Sequence, residues 1–272
     1  MKIDLEDKVT RFVVQEYVNA IVGFGSHTEL DFDVHKLIHT FKVVGVAQRL
    51  INLTKPALSL KLKKQILNAA VLHDIGRCYE FQKGKRRKKI NHGLKGADLI
   101  RKEFPNLTIE ALVTQYHNRM PSCQDPADAQ PVLDYIRDAD ILGNIIYNIG
   151  HMPVFLRHIL QQFPCTETAM EIDHEIIDSA LNHHSCCYQN MKKMDFLDNI
   201  LLQLCWIYNL RTRPGLLLAK KERIFPRCRD VIISEVLPAI TGYQKQRQQT
   251  TNQIMKLFPD KMFLEEFRKH GL

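Results

Sequence analysis

Ile66-Leu67-Asn68-Ala69-Ala70-Val71-Leu72-His73-Asp74-Ile75-Gly76-Arg77 is an apolar run that ends on an imidazole, a carboxylate and a glycine. A run this apolar, broken before His73 only by Asn68, fits a buried helix, and the glycine marks where it stops. A second stripe lies upstream. Val34, Leu37, Ile38, Phe41, Val44, Ala47 and Leu50 recur at three-to-four spacing, which places them on one helix face. Alternating β-branched runs are scarce elsewhere. The spacing predicts helices near 7–22, 33–53, 58–74, 92–103, 108–118, 130–148, 152–162, 171–182, 192–211, 228–247 and 249–270, an all-α protein. Pro56, Gly76, Gly84, Pro105, Pro121 to Pro131, Pro164 and the pair Pro214-Gly215 read as breakers.

The chain has 272 residues, 45% of them hydrophobic and 25% charged. That is enough material for a sizeable core, and it excludes disordered, collagenous and disulfide-scaffold classes. No internal repeat is visible, and no apolar stretch has the length of a membrane span. One helical domain is expected over 1–272, with a core near 33–145 and a helical extension near 150–272. The acidic opening, Asp4, Glu6 and Asp7, is unlike an export leader. The seven cysteines contain no C-x-x-C pair and read as reduced thiols, so a cytoplasmic, membrane-free protein is expected.

Five places carry chemistry. His39 lies within the first striped helix, and His73-Asp74 closes the apolar run. His92 opens an amphipathic helix and His117 ends another. Asp140 interrupts an apolar helix that contains Val132, Leu133, Ile136, Ile141 and Leu142. A carboxylate on a buried face is costly unless paired or bound to a cation, and Asp138 reads as the solvent-side acid of that helix. Imidazole and carboxylate are ligands for Mn, Fe, Co, Ni and Zn, and helices of a bundle can aim them at one internal point.

The order His, His-Asp, Asp resembles the HD superfamily of metal-dependent phosphohydrolases. Lys36 to Val44 is similar to that family's first-histidine helix, and Leu72 to Arg77 to its His-Asp signature. Asn91-His92-Gly93 with Gly96-Ala97 resembles the following helix start. His117-Asn118-Arg119 resembles a third histidine motif of one branch, and Ile136 to Leu142 the final aspartate motif. The resemblance spans roughly 33–145, with a weaker likeness around Leu204, Trp206 and Ile207. It implies an HD-domain helical bundle in which His39, His73, Asp74 and Asp140 bind one divalent ion. Asp74 bridges to a second ion held by His92 and His117. It further implies one or two ions (Mn, Fe, Co, Ni, Mg or Zn), water as nucleophile, and hydrolysis of a phosphomonoester or a nucleotide-like substrate.

Arg77, Asn118, Arg119 and Arg137 are expected to contact phosphate, and Asp74, Arg77 and Lys95 to be catalytic, with Lys95, within a turn of His92, an electrostatic stabiliser or proton donor. The sequence departs from the family at Lys83, Lys85, Arg86, Arg87, Lys88 and Lys89, where a mixed-polarity loop is expected. This run reads as a solvated loop first; a nucleic-acid or phosphate-rich partner is the less favoured reading. A di-iron oxygenase on the same scaffold and a non-catalytic nucleotide-binding or nucleic-acid-binding module are the alternatives. His183, His184, Cys186 and Cys187 do not have the spacing of a closed zinc site. Trp206 with Leu201, Leu202 and Leu204 reads as core.

Overall fold

The computed structural model describes residues 7–22, 27–80, 90–119, 125–150, 171–186, 191, 196–240 and 244–272. Among these every regular element is helical, and no helix is long and apolar enough to cross a membrane. The chain divides into two compact units, Met1–Asn144 and Ile145–Leu272, where the sequence suggested one domain with an extension.

The first unit is built from α1 (Lys8–Val22), α2 (His27–Leu53), α3 (Leu60–Leu72), α4 (His92–Glu103), α5 (Thr108–Tyr116) and the first two-thirds of α6 (Gln130–Gly150). Asp7 accepts from the Thr10 amide at 3.0 Å, Ser59 from Leu62 at 3.2 Å and Asn91 from Leu94 at 3.2 Å, so α1, α3 and α4 each begin on a side-chain cap. Val9, Val13 and Tyr17 lie four residues apart and bury one face of α1 against Val71, Leu72, Ile75, Cys78 and Ile100. Each such aliphatic side chain contributes about 1.5–3 kcal/mol by leaving water. The apolar run identified in the sequence is therefore the wall on which the unit is assembled: Ile66, Ala69, Ala70, Val71 and Leu72 are all buried. The helix gives out at Leu72, two residues earlier than expected, and a tight 3-10 turn covers Ile75–Tyr79.

Gly76 in that turn is required by close approach. A Cβ there would lie 2.0 Å from the His92 carbonyl oxygen, so only hydrogen lets the turn and the start of α4 meet. Gly93 has the same role between α4 and α5, where a Cβ would meet the Gln115 and Thr114 carbonyls at 2.9 and 3.0 Å.

In the second unit, Leu197, Ile200, Leu201 and Leu204 from Phe196–Cys205 belong to the buried core, with Phe225, Phe258 and Phe263 among its buried aromatics. Trp206, expected in the core, is half-buried. Three expectations need correction here. Pro214-Gly215 opens a helix, Arg213–Lys221, instead of breaking one. Thr212 caps it by accepting from Gly215 at 3.0 Å, and proline has no amide to lose in a first turn. The helix expected over 228–247 starts earlier, at Ile224, and passes through a π-helical turn at Ile232–Val236, just before Pro238. The helix expected over 249–270 is two, Gln244–Leu257 and Asp260–Lys269, separated at Pro259. The expected helix at 152–162 lies outside the described residues.

Candidate metal centre

Asp74 leaves α3 just past its C-terminal end, and its carboxylate is 4% exposed. Its two oxygens face different histidines. Oδ2 lies 3.9 Å from His39 Nε2 and 3.8 Å from His73 Nε2. Oδ1 lies 3.4 Å from His92 Nε2 and 3.4 Å from His117 Nε2. Asp140 closes the Oδ2 side from α6, with Oδ1 at 3.0 Å from His39 Nε2 and 3.8 Å from His73 Nε2. Donor atoms of His39, His73 and Asp74 lie within 4.8 Å of one another, as do those of Asp74, His92 and His117. All six expected ligands are thus brought to one place in the first unit.

The hydrogen bonds of the rings fix what those nitrogens offer. His73 Nδ1 donates to the Ala70 carbonyl at 2.8 Å, and His117 Nδ1 to the Thr114 carbonyl at 2.7 Å, each one turn back. With the proton on Nδ1, Nε2 carries a lone pair directed at a carboxylate. Two acceptors facing each other at under 4 Å repel unless a cation or proton lies between them. His73 Nε2 is buried and has no hydrogen-bond partner, although two carboxylate oxygens stand at 3.8 Å. A proton does not supply the need cheaply, because burial lowers the pKa of His73 to about 4. Burial also lowers His92. Nitrogen and oxygen donors arranged in this way fit a divalent cation.

Burial alone would raise both carboxyls. For Asp74, Arg77, Lys36 and His73 outweigh it and hold the group well below the usual carboxylate range. For Asp140, the hydrogen bond and charge of His39 do so. Asn144, one turn on, donates to Asp140 Oδ1 at 2.9 Å.

The other expected site residues fare unequally. Arg77 reaches the site, but its Nε donates to Asp74 Oδ1 at 3.3 Å and one Nη to Glu80 at 2.7 Å, so much of its fork holds protein carboxylates. Asn118 lies beside His92, with Nδ2 donating to Nε2 at 3.2 Å. Lys95 points its ammonium over the Tyr79 ring at 4.6 Å, and Arg119 stacks on Tyr116 at 4.7 Å. Arg137 is a correction. Its guanidinium pairs with buried Asp125 at 2.6 Å and donates to the Tyr116 and Arg119 carbonyls, which bracket His117; its fork is consumed by the scaffold. Asp138 and Asp140 of α6 are also exchanged relative to expectation. Asp138 is fully buried, and the Asp140 side chain is 26% exposed. The helix is covered on nearly every side from Val132 to Ala139, which leaves position 138 no solvent face. Lys83 to Lys89 and Cys187 lie outside the described residues.

Four residues near the site escaped the sequence reading. Lys36 Nζ is 3.6 Å from Asp74 Oδ2, Glu80 faces Arg77 and His92, Asn144 binds Asp140, and Tyr17 donates to the Asp74 carbonyl at 3.2 Å. Lys36 and Asn144 carried a signal, being one helical turn from His39 and Asp140. Glu80 stands three residues after Arg77 in the same turn, but its contact with His92, like that of Tyr17 with Asp74, comes from the packing of other elements.

Residues 37–145 match the family model described as HD domain. The chain carries an HD domain. The comparisons with curated proteins and with solved structures found no match. All six histidine and aspartate residues of the cluster lie within the HD domain, while Lys36 and Tyr17 precede the matched stretch.

Proposed function

We propose that the HD domain is a metal-dependent phosphohydrolase acting on a phosphomonoester or nucleotide-like substrate. The observation that carries this reading is the division of Asp74, one oxygen toward His39 and His73, the other toward His92 and His117. His39, His73, Asp74 and Asp140 would hold one cation, and Asp74, His92 and His117 a second. Bound there, divalent ions lower the pKa of water toward neutrality and clamp the oxygens of a phosphoryl group.

The chain's own residues prepare the place. Backbone carbonyls of Ala70 and Thr114 lock two rings with Nε2 inward. Arg77 and Asn144 keep the two carboxylates from turning away. Lys36 and Arg77 offset the negative charge of Asp74 and Glu80 beside the site.

The same six-donor set suits a di-iron oxygenase, so the test reads both chemistries. Purified protein is loaded with Mn, Fe, Co, Ni or Mg and offered phosphate esters and nucleotides, with phosphate release and oxygen uptake followed together. Phosphate release that drops by roughly a thousandfold or more in the His73→Ala, Asp74→Ala double variant is expected, since several kcal/mol of charge stabilisation go with the ions. Release that survives in the double variant, or substrate-dependent oxygen uptake without phosphate, would overturn the reading.

A further inference from the structure

His92 is the one histidine of the cluster that opens a helix. His73 and His117 each spend Nδ1 on a carbonyl three residues back in their own helix, an option closed to the first residue of α4. Its ring must be held from elsewhere. Asn118 Nδ2, which can only donate, stands 3.2 Å from His92 Nε2, so Nε2 is the accepting nitrogen and Nδ1 carries the proton. Nδ1 in turn faces Glu80 Oε1 at 3.4 Å. Glu80 is 3% exposed, and the same Oε1 takes an Arg77 Nη at 2.7 Å, while Arg77 Nε reaches back to Asp74 Oδ1 at 3.3 Å. A closed ring results: Asp74, Arg77, Glu80, His92 and back to Asp74.

We propose that Glu80 is the positioning residue of the Oδ1-side cation site. It fixes the His92 ring with Nε2 toward Asp74, and through Arg77 it holds the Asp74 oxygen that the same cation would share. A carboxylate behind a ligating imidazole both orients the ring and makes its other nitrogen a better donor. Gln at position 80 keeps the shape and loses the charge. The ring of contacts runs through Arg77, His92 and Asp74 Oδ1, and its bonds go to none of His39, His73 and Asp140, so the effect is confined to one of two sites.

This rests on the two-cation reading above, and the experiment separates the two. Cobalt(II) is the probe, titrated into ion-free full-length protein and followed by calorimetry and by its visible absorption, with no substrate present. Wild type is expected to take two ions, and the step abolished in His117→Ala identifies the Oδ1 side. In Glu80→Gln that step weakens by about 10–100-fold, while the other stays within about twofold. Because Asp74 serves both sides, the unchanged step also shows that the variant is folded with Asp74 in place. Asn118→Ala frees His92 Nε2 without touching Glu80 and is expected to bind the Oδ1-side ion at least as tightly as wild type.

A wild type that binds no ion ends the two-cation reading and this inference with it. A wild type that binds one ion leaves the Oδ2 side standing and overturns the role of Glu80. Two ions with equal affinities in wild type and Glu80→Gln overturn the role of Glu80 alone. A loss in Asn118→Ala as large as in Glu80→Gln would mean that any disturbance at the end of α4 suffices, which also overturns it.

Discussion

The two sides of Asp74 are built by different means. On the Oδ2 side two of the donors come from helix bodies, His39 from the middle of α2 and Asp140 from within α6, while His73 caps the end of α3. On the Oδ1 side they come from helix ends, His92 at the start of α4 and His117 just after α5. A helix body holds a side chain through its ladder and its packed neighbours. A helix end has neither on one flank, and the structure supplies substitutes: the Gly76 and Gly93 close approaches, the Glu80 and Arg77 pair, and the Arg137 and Asp125 pair behind His117. The Oδ1 side should therefore be fragile to changes in residues that touch no donor, and the Oδ2 side to changes in the donors themselves.

The largest effect that would sharpen this contrast is at Arg137. Removing one partner of a buried ion pair is strongly destabilising, and Arg137→Ala is expected to cost about 3–5 kcal/mol of unfolding free energy. The variant loses the bonds that Arg137 gives to Asp125 and to the carbonyls of Tyr116 and Arg119. Chemical unfolding of the ion-free protein measures it. A KM that rises steeply in a variant of unchanged stability would instead return Arg137 to the substrate and break the comparison.

How much of this was legible in the sequence follows the same division. The six donors were singled out by the resemblance of their order to the HD superfamily, and α4 begins and ends where its amphipathic spacing put it. Side chains that act through their own helix leave a mark at three or four residues, as Lys36 and Asn144 do. The scaffold of the Oδ1 side leaves only the three-residue steps from Asp74 to Arg77 to Glu80. Glu80 and His92 are twelve positions apart with a basic stretch between them, and Arg137 looks like any cation beside an aspartate until Asp125 is seen against it. Asp138 was misplaced for a related reason: periodicity gives a helix one wet face, and α6 has almost none over that stretch. In the second unit the breaker rule failed at Pro214, because a proline that stops one helix and a proline that starts the next look alike until the Thr212 cap is in view.

The next effect belongs to the Oδ2 side and to acid. His73 is buried and neutral, with a folded-state pKa of about 4 against 6.5 for an ordinary histidine. Below 6.5 the unfolded chain takes up this proton before the folded one does. The stability that His73 confers is then complete above pH 6.5 and drains away as pH falls toward 4, by about 3 kcal/mol across the interval. Asp74 and Asp140 are also shifted down, and their contribution is lost only below the ordinary carboxylate value of 3.8. Unfolding free energies of chelator-treated protein between pH 7.5 and 4 are expected to show this slope. His73→Gln should flatten it, and an equal slope in both proteins would show that another group is responsible.

The smallest effect concerns Asn144, which donates to the Asp140 side-chain oxygen at 2.9 Å and to its carbonyl at 3.0 Å from one turn along α6. A hydrogen bond to a charged, partly exposed carboxylate is worth about 1 kcal/mol, and Asn144→Ala should cost that much in the ion-free protein. The consequence for binding follows from what the bond restrains. Asp140 stays on the body of α6 with His39 Nε2 at 3.0 Å, so losing Asn144 loosens the carboxylate but leaves it beside the other donors. Cobalt(II) titration should show the Oδ2-side step weakened by only a few-fold and the Oδ1-side step unmoved, well short of the change expected for Glu80→Gln. A ten-fold or larger loss on the Oδ2 side would mean that helix-body donors lean on their supports as heavily as helix-end donors do, and the distinction between the two sides of Asp74 would fall.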